Sequence, residues 1–231
     1  MFQNRVAVSM RALGCFLTLF YLTLASPLVE KRQTDYHWVD TWTSMPQLVE
    51  PDNLPPSPFV RSHYHSQTYK ENLTISQKTS SSVFNDATIR QTLHFSIATT
   101  RLRVQLSNTF GTTDLPITAA SLALPNSGKA GVNGIASSPI VGLTFNGVAS
   151  ITIPRGAVAY SDPVDFAATA ESNVALNLYL AKGQQGTSIT GHPGSRTTIW
   201  MQAGNHVNAT TVPGTSVKHW YAQLRFLKTF F

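Results

Sequence analysis

Along residues 86–125 apolar and polar side chains alternate almost one for one. Ile89, Leu93, Phe95 and Ile97 alternate with Thr88, Arg90, Thr92, His94 and Ser96. Leu102, Val104 and Leu106 then alternate with Arg101, Arg103, Gln105 and Ser107. A period of two puts successive side chains on opposite faces, so these runs are predicted to be half-buried strands of an antiparallel sheet, one face apolar and one wet. The short polar link around Thr99 and Thr100 predicts a hairpin turn. The loop Asn108–Asp114, with Gly111 free to take positive φ, leads into a third run from Ile117 to Leu124.

The rest of the chain follows the same grammar. His37–Ser44 alternates enough for a first strand, and Pro46–Pro58, with five prolines, is a non-helical loop. Polar Arg61–Ser82 is expected to hold one strand around Asn72, and Asn126–Ser138 is a surface loop. Val141–Phe145 and Ser150–Ile153 are short strands joined by Asn146-Gly147, a two-residue hairpin signal. Val174, Leu176, Leu178 and Leu180 alternate with Ala175, Asn177 and Tyr179, and the glycine-rich link Gly183–Gly191 leads to Thr197–Gln202. No window shows helical periodicity over three turns. Many short strands at near-regular spacing predict an all-β, jelly-roll-like antiparallel β-sandwich in a single domain, residues 33–221.

The amino terminus reads differently. Arg5 and Arg11 precede an apolar run, Leu13–Leu24, that ends at the small residues Ala25 and Ser26. This is a secretory signal peptide, residues 1–25, cleaved after Ala25, and its apolar run is shorter than the roughly 20 residues a spanning helix needs. Lys31-Arg32 closes a pro-segment, residues 26–32, with cleavage after Arg32. Processing changes the charge argument. Taking four from 17 basic residues and one from 11 acidic residues reduces a net charge of +6 to +3, which removes most support for nucleic-acid binding. The only cysteine, Cys15, lies in the signal, so the expected extracellular protein has no disulfide and relies on its core. Asn72-Leu73-Thr74 and Asn208-Ala209-Thr210 are N-glycosylation acceptor triplets, at Asn72 and Asn208.

Several segments carry a resemblance. They are T-I-R-Q at 88–91, R-L-R-V-Q-L-S-N-T-F-G at 101–111 and D-L-P-I-T-A-A at 114–120. Also matching are W-V-D-T-W at 38–42, I-P-R-G-A at 153–157, S-D-P-V-D at 161–165 and H-P-G-S-R-T-T at 192–198. In this order, over Tyr36–Tyr221, they resemble the amino-terminal β-sandwich domain found before the catalytic domain in one group of SGNH/GDSL-type esterases. The resemblance implies a domain type that packs on a catalytic domain and helps shape its cleft. The family's serine nucleophile lies in a Gly-Asp-Ser block, with its His and Asp partners in a separate α/β domain; this sequence contains no Gly-Asp-Ser. Residues 222–231, basic and apolar, depart from the family pattern and are expected to be a non-family tail, the product of truncation or of a misread coding sequence.

Candidate chemistry is sparse. Gly186-Thr187-Ser188-Ile189-Thr190-Gly191 approaches a nucleophile elbow but has Thr190 where the second glycine belongs. Ser188 with His192 and either Asp162 or Asp165 has the residue types of a triad, but the favoured reading is a flexible loop with a turn at His192-Pro193-Gly194. His63-Tyr64-His65 puts two imidazoles on one face of an extended segment but lacks a third ligand, and no metal is expected. His37, His94, His206 and His219 are isolated. No phosphate-cradling glycine motif is present, so no cofactor is expected. Exposed aromatic rings can stack on sugars, and Trp38, Trp42, Trp200, Trp220, Tyr64, Tyr69 and Tyr160 are available. Trp38 and Trp42 share parity on one strand face, which favours core packing for both. Arg101 and Arg103 lie on a wet strand face. The sequence therefore points to a secreted, monomeric accessory domain of an SGNH-type esterase without its own nucleophile. The alternative is a carbohydrate-binding module on extracellular polysaccharide.

Overall fold

The computed structural model describes residues 37–68, 74–192, 197–217 and 224–230. The chain enters with β1 (Trp38–Thr43) and the two-residue β2 (Gln47–Leu48), and the prolines then allow only a single 3-10 turn at Pro51–Asn53. β3 (Val60–Thr68) and β4 (Thr74–Val83) form a long antiparallel pair where one strand was expected. The alternating block becomes β5 (Ala87–Phe95), β6 (Thr99–Ser107), β7 (Leu115–Ile117) and β8 (Ala119–Pro125). β9 (Ile135–Gly142), β10 (Ile151–Ile153), β11 (Val158–Tyr160), β12 (Val164–Ala168) and β13 (Ser172–Leu180) follow. Short β14 (Gln184–Gln185) and β15 (Thr190–Gly191) lead to β16 (Ile199–Ala203), β17 (Thr215–Val217) and β18 (Leu224–Phe230).

Two antiparallel sheets dominate. One has the order β17-β16-β5-β13-β8-β9, and the other β1-β18-β6-β11, with β12 also pairing β6. Their apolar faces meet in one core, which joins Leu93 and Phe95 of β5, Val174 and Leu176 of β13, and Leu122 of β8. From the second sheet come Leu102, Val104 and Leu106 of β6 and Phe166 of β12. All are buried, and a fully buried Leu or Phe contributes about 1.5–3 kcal/mol. The predicted all-β, antiparallel sandwich is what the chain adopts. Among the described residues no helix is long and apolar enough to cross a membrane. The signal and pro-segment positions Ala25 and Arg32 lie outside the described residues.

Three local expectations are corrected. The link between β5 and β6 is no hairpin: β5 pairs with β13 and β16 in one sheet, whereas β6 pairs with β18, β11 and β12 in the other. The chain changes sheets at Ser96–Ala98. Ser96 Oγ donates to the Thr41 carbonyl at 2.8 Å, and the Ile97 amide donates to Thr41 Oγ1 at 3.2 Å, pinning the crossing to β1. Alternation reports which face is buried and carries no information about the partner strand. Secondly, Asn146-Gly147 does form a two-residue turn, both residues at positive φ and closed by Phe145 and Val148, but its arms diverge. β9 pairs with β8 while β10 pairs with β7. Thirdly, residues 224–230, expected outside the domain, run as β18 between β1 and β6, hydrogen-bonded on both sides.

The wet face expected for β5 is also buried, with only His94 of its nine residues exposed. Segments 129–134 and 204–212 cover that face, and Arg90, with no accessible surface, holds both down. Its guanidinium donates to the Asn133 carbonyl at 2.7 Å, to the Ala209 carbonyl at 2.6 Å and to Asn177 Oδ1. Asn177 Nδ2 donates in turn to Ser121 Oγ at 3.0 Å, and Ser121 Oγ to the Val207 carbonyl at 2.6 Å. Thr88 clamps the same loop, donating to the Gly204 carbonyl and accepting from the His206 amide. Burial lowers Arg90 to about 10, still far above neutrality, so the cation persists with neutral oxygens as its partners.

Candidate functional site

The structure gives the Asp and His side chains of the triad weighed above separate structural tasks. Asp162 closes the Asn146-Gly147 turn. Its carboxylate accepts from Thr144 Oγ1 at 2.6 Å and from the amides of Asn146 and Gly147 at 3.0 and 2.7 Å. Asp165 lies 3.9 Å from Arg101 on the exposed surface. His192 is fully buried beside Trp42, the rings edge to face at 5.7 Å between centroids. Desolvation pushes its pKa down to about 4, so it is neutral in the folded protein at neutral pH. Ser188 follows the β14 strand, where its carbonyl accepts from the Thr112 amide at 3.4 Å. Pro193 and Gly194, the rest of the predicted turn, lie outside the described residues.

The Asp162 contacts define a test. Hydrogen bonds from Thr144 and the Gly147 amide hold its carboxyl below the ordinary 3.8, the direction that favours the ionised form in the folded state. This stabilisation is therefore complete above that value and is lost as pH falls through the lower folded value. Asp162→Asn is expected to flatten the acid limb of the stability–pH curve and to speed exchange of the Gly147 amide. Unchanged Gly147 exchange, read by NMR, would refute the turn-closing role.

The aromatic candidates are also engaged. A register shift in β1 between Asp40 and Trp42 makes Thr41 an extra residue, so Trp38 and Trp42 fall on opposite faces instead of sharing one. Trp42 packs against the core. Trp38 and Tyr160 flank Arg103, whose guanidinium carbon sits 4.4 and 4.6 Å from their ring centroids. This pairing leaves Arg103 half-buried, where alternation had placed it on a wet face. Trp200 donates its indole N–H to the Gly131 carbonyl at 3.0 Å. Trp220, Tyr69 and Asn72 lie outside the described residues, as do the side chains of His63, Tyr64 and His65. Asn208, by contrast, is exposed on the loop that Arg90 anchors. Among the described residues no three His, Cys, Asp or Glu side chains converge as a metal site.

Sequence reasoning did not foresee Asn108 or the two cavities. Asn108 is fully buried, and its amide donates to the carbonyls of Thr113, Ile153 and Pro154 while accepting from Gln184 Nε2 at 2.8 Å. Gly111 is required here because a Cβ would stand 1.8 Å from Asn108 Oδ1. The segment S-N-T-F-G is thus a structural knot.

One end of the sandwich holds a cavity of about 800 Å³. β12 loses register with β6 between Asp165 and Ala168, and the walls there come from both sheets. Ala98, Leu124, Pro125, Ala136, Ala167 and Ala168 form its apolar lining. A second cavity of about 290 Å³ has a more polar lining that includes Trp42, Thr92, His94, Thr197 and Thr198. Asn173 lines both. Comparison with known proteins adds no relative: no protein-family model matches the chain, and no curated protein matches it.

Proposed function

We propose that this chain is a secreted all-β accessory domain of an SGNH-type ester hydrolase, a scaffold and docking element that contributes no nucleophile. The observation that carries the reading is that Asp162, Asp165 and His192 are each engaged in a contact outside any triad. Asp162 is committed to a turn, Asp165 faces Arg101, and His192 is a neutral core side chain packed on Trp42. A serine nucleophile needs a base that can take and return a proton near neutrality, and a buried imidazole with a pKa of about 4 is poorly matched to that task. The segments that resemble the esterase domain support the same view, since Thr88, Arg90, Asn108 and Gly111 all hold loops in place.

The direct test is hydrolysis of p-nitrophenyl acetate by the purified chain. The expected rate equals that of a Ser188→Ala variant and of denatured protein. Turnover that disappears in Ser188→Ala would overturn the proposal and make the chain an independent hydrolase.

A further inference from the structure

We infer that the two adjoining cavities form one binding site for a neutral amphiphile, an aliphatic chain carrying a hydroxylated head group. The inference goes beyond the accessory-domain reading and holds whether or not a catalytic domain accompanies this one. Three observations converge on it. The larger cavity, about 800 Å³, lies within the size range of small-molecule sites, and its lining is mostly apolar, with alanine, leucine and proline side chains beside the hydroxyls of Thr99, Thr100, Thr169 and Ser172. No ionisable or aromatic side chain lines it, so it suits neither a charged group nor a stacked sugar. The smaller cavity has the complementary character, with Thr92, Thr197, Thr198 and His94 lining it beside Trp42.

Asn173 joins the two. It lines both cavities, and its amide is held by donation to the Gly128 carbonyl at 2.8 Å. The loop 128–131 continues along both, and Gly131 is fixed by its amide on Thr92 Oγ1 at 2.7 Å and by Trp200 on its carbonyl. Polarity therefore changes across one fixed residue, as it does between the tail and head of an amphiphile. His94 is the one ionisable side chain of either lining, and its Nε2 sits 3.0 Å from Glu171 Oε2 at the surface.

The probe series is hexyl, heptyl and octyl β-glucoside, titrated into the full chain below micelle-forming concentrations and followed by calorimetry. Apolar burial makes affinity rise roughly fourfold per added CH2, with free glucose binding far more weakly than the octyl compound. Ala136→Trp, which places an indole in the apolar cavity, is expected to flatten that chain-length dependence. Ala167→Trp, at an exposed position of the same wall, gives a second reading should Ala136→Trp fail to fold. His94→Ala is expected to weaken every member of the series equally and to leave the slope per CH2 intact. Absence of saturable binding by octyl glucoside would overturn the inference, as would a slope unchanged in a folded tryptophan variant.

Discussion

Replacing Arg90 with methionine is expected to lower the free energy of unfolding by about 4 kcal/mol, read as a fall in urea midpoint at constant m. Methionine keeps much of the volume, so the loss comes from polar groups. The guanidinium satisfies the Asn133 and Ala209 carbonyls and Asn177 Oδ1, and removing it leaves buried acceptors that cost about 1–3 kcal/mol each. Relief of the buried charge offsets part of that sum. Arg90→Lys should recover little, because a single ammonium cannot reproduce a planar fork aimed at three oxygens. Amides of 129–134 and 204–212 should lose exchange protection in both variants before the sheet does. A midpoint unchanged in Arg90→Met would show that water replaces the guanidinium and that the loops need no anchor.

The second large effect is a pH dependence. His192 has an ordinary value of 6.5, lowered in the folded protein to about 4 by desolvation. Above 6.5 the imidazole is neutral in both states and contributes nothing against folding. As pH falls from 6.5 toward 4 the unfolded chain takes up a proton that the folded chain refuses, so stability is lost across that window. The size is about 3 kcal/mol, from 1.36 kcal/mol per unit of difference. His192→Gln should remove this slope while retaining a polar side chain of similar reach beside Trp42. Equilibrium unfolding of both proteins at pH 7, 5.5 and 4.5 decides the matter. Parallel curves would mean that His192 is protonated in the folded state and is not enclosed.

Much of the fold can be read from residue order because burial leaves a periodic trace. Alternation in 88–107 and 174–180 locates β5, β6 and β13, and Asn146-Gly147 locates a tight turn from its tolerance of positive φ. The polar run 61–82 holds two strands, yet its serines and threonines leave no apolar face to count. The site was less legible. Asp162 and His192 are the residue types of a catalytic triad, and only their neighbours show that one closes a turn and the other fills a core. Neither cavity has a motif, since a lining of alanines and threonines from six separate segments has no spacing to detect.

The division of labour follows from range. Strand identity, core-facing parity and turn chemistry are local properties, set by side chains a few residues apart, and they are written in the chain from Trp38 onward. Which strands pair, and which faces a loop later covers, depends on contacts across tens of residues. Arg90 reads as a solvated strand charge until segments 43 and 119 positions away place their carbonyls on it. Trp38 and Trp42 share parity until one extra residue at Thr41, bonded to the β5–β6 crossing, turns them apart. The alternating block thus establishes the sandwich locally, and tertiary contacts decide that half of its polar face is interior.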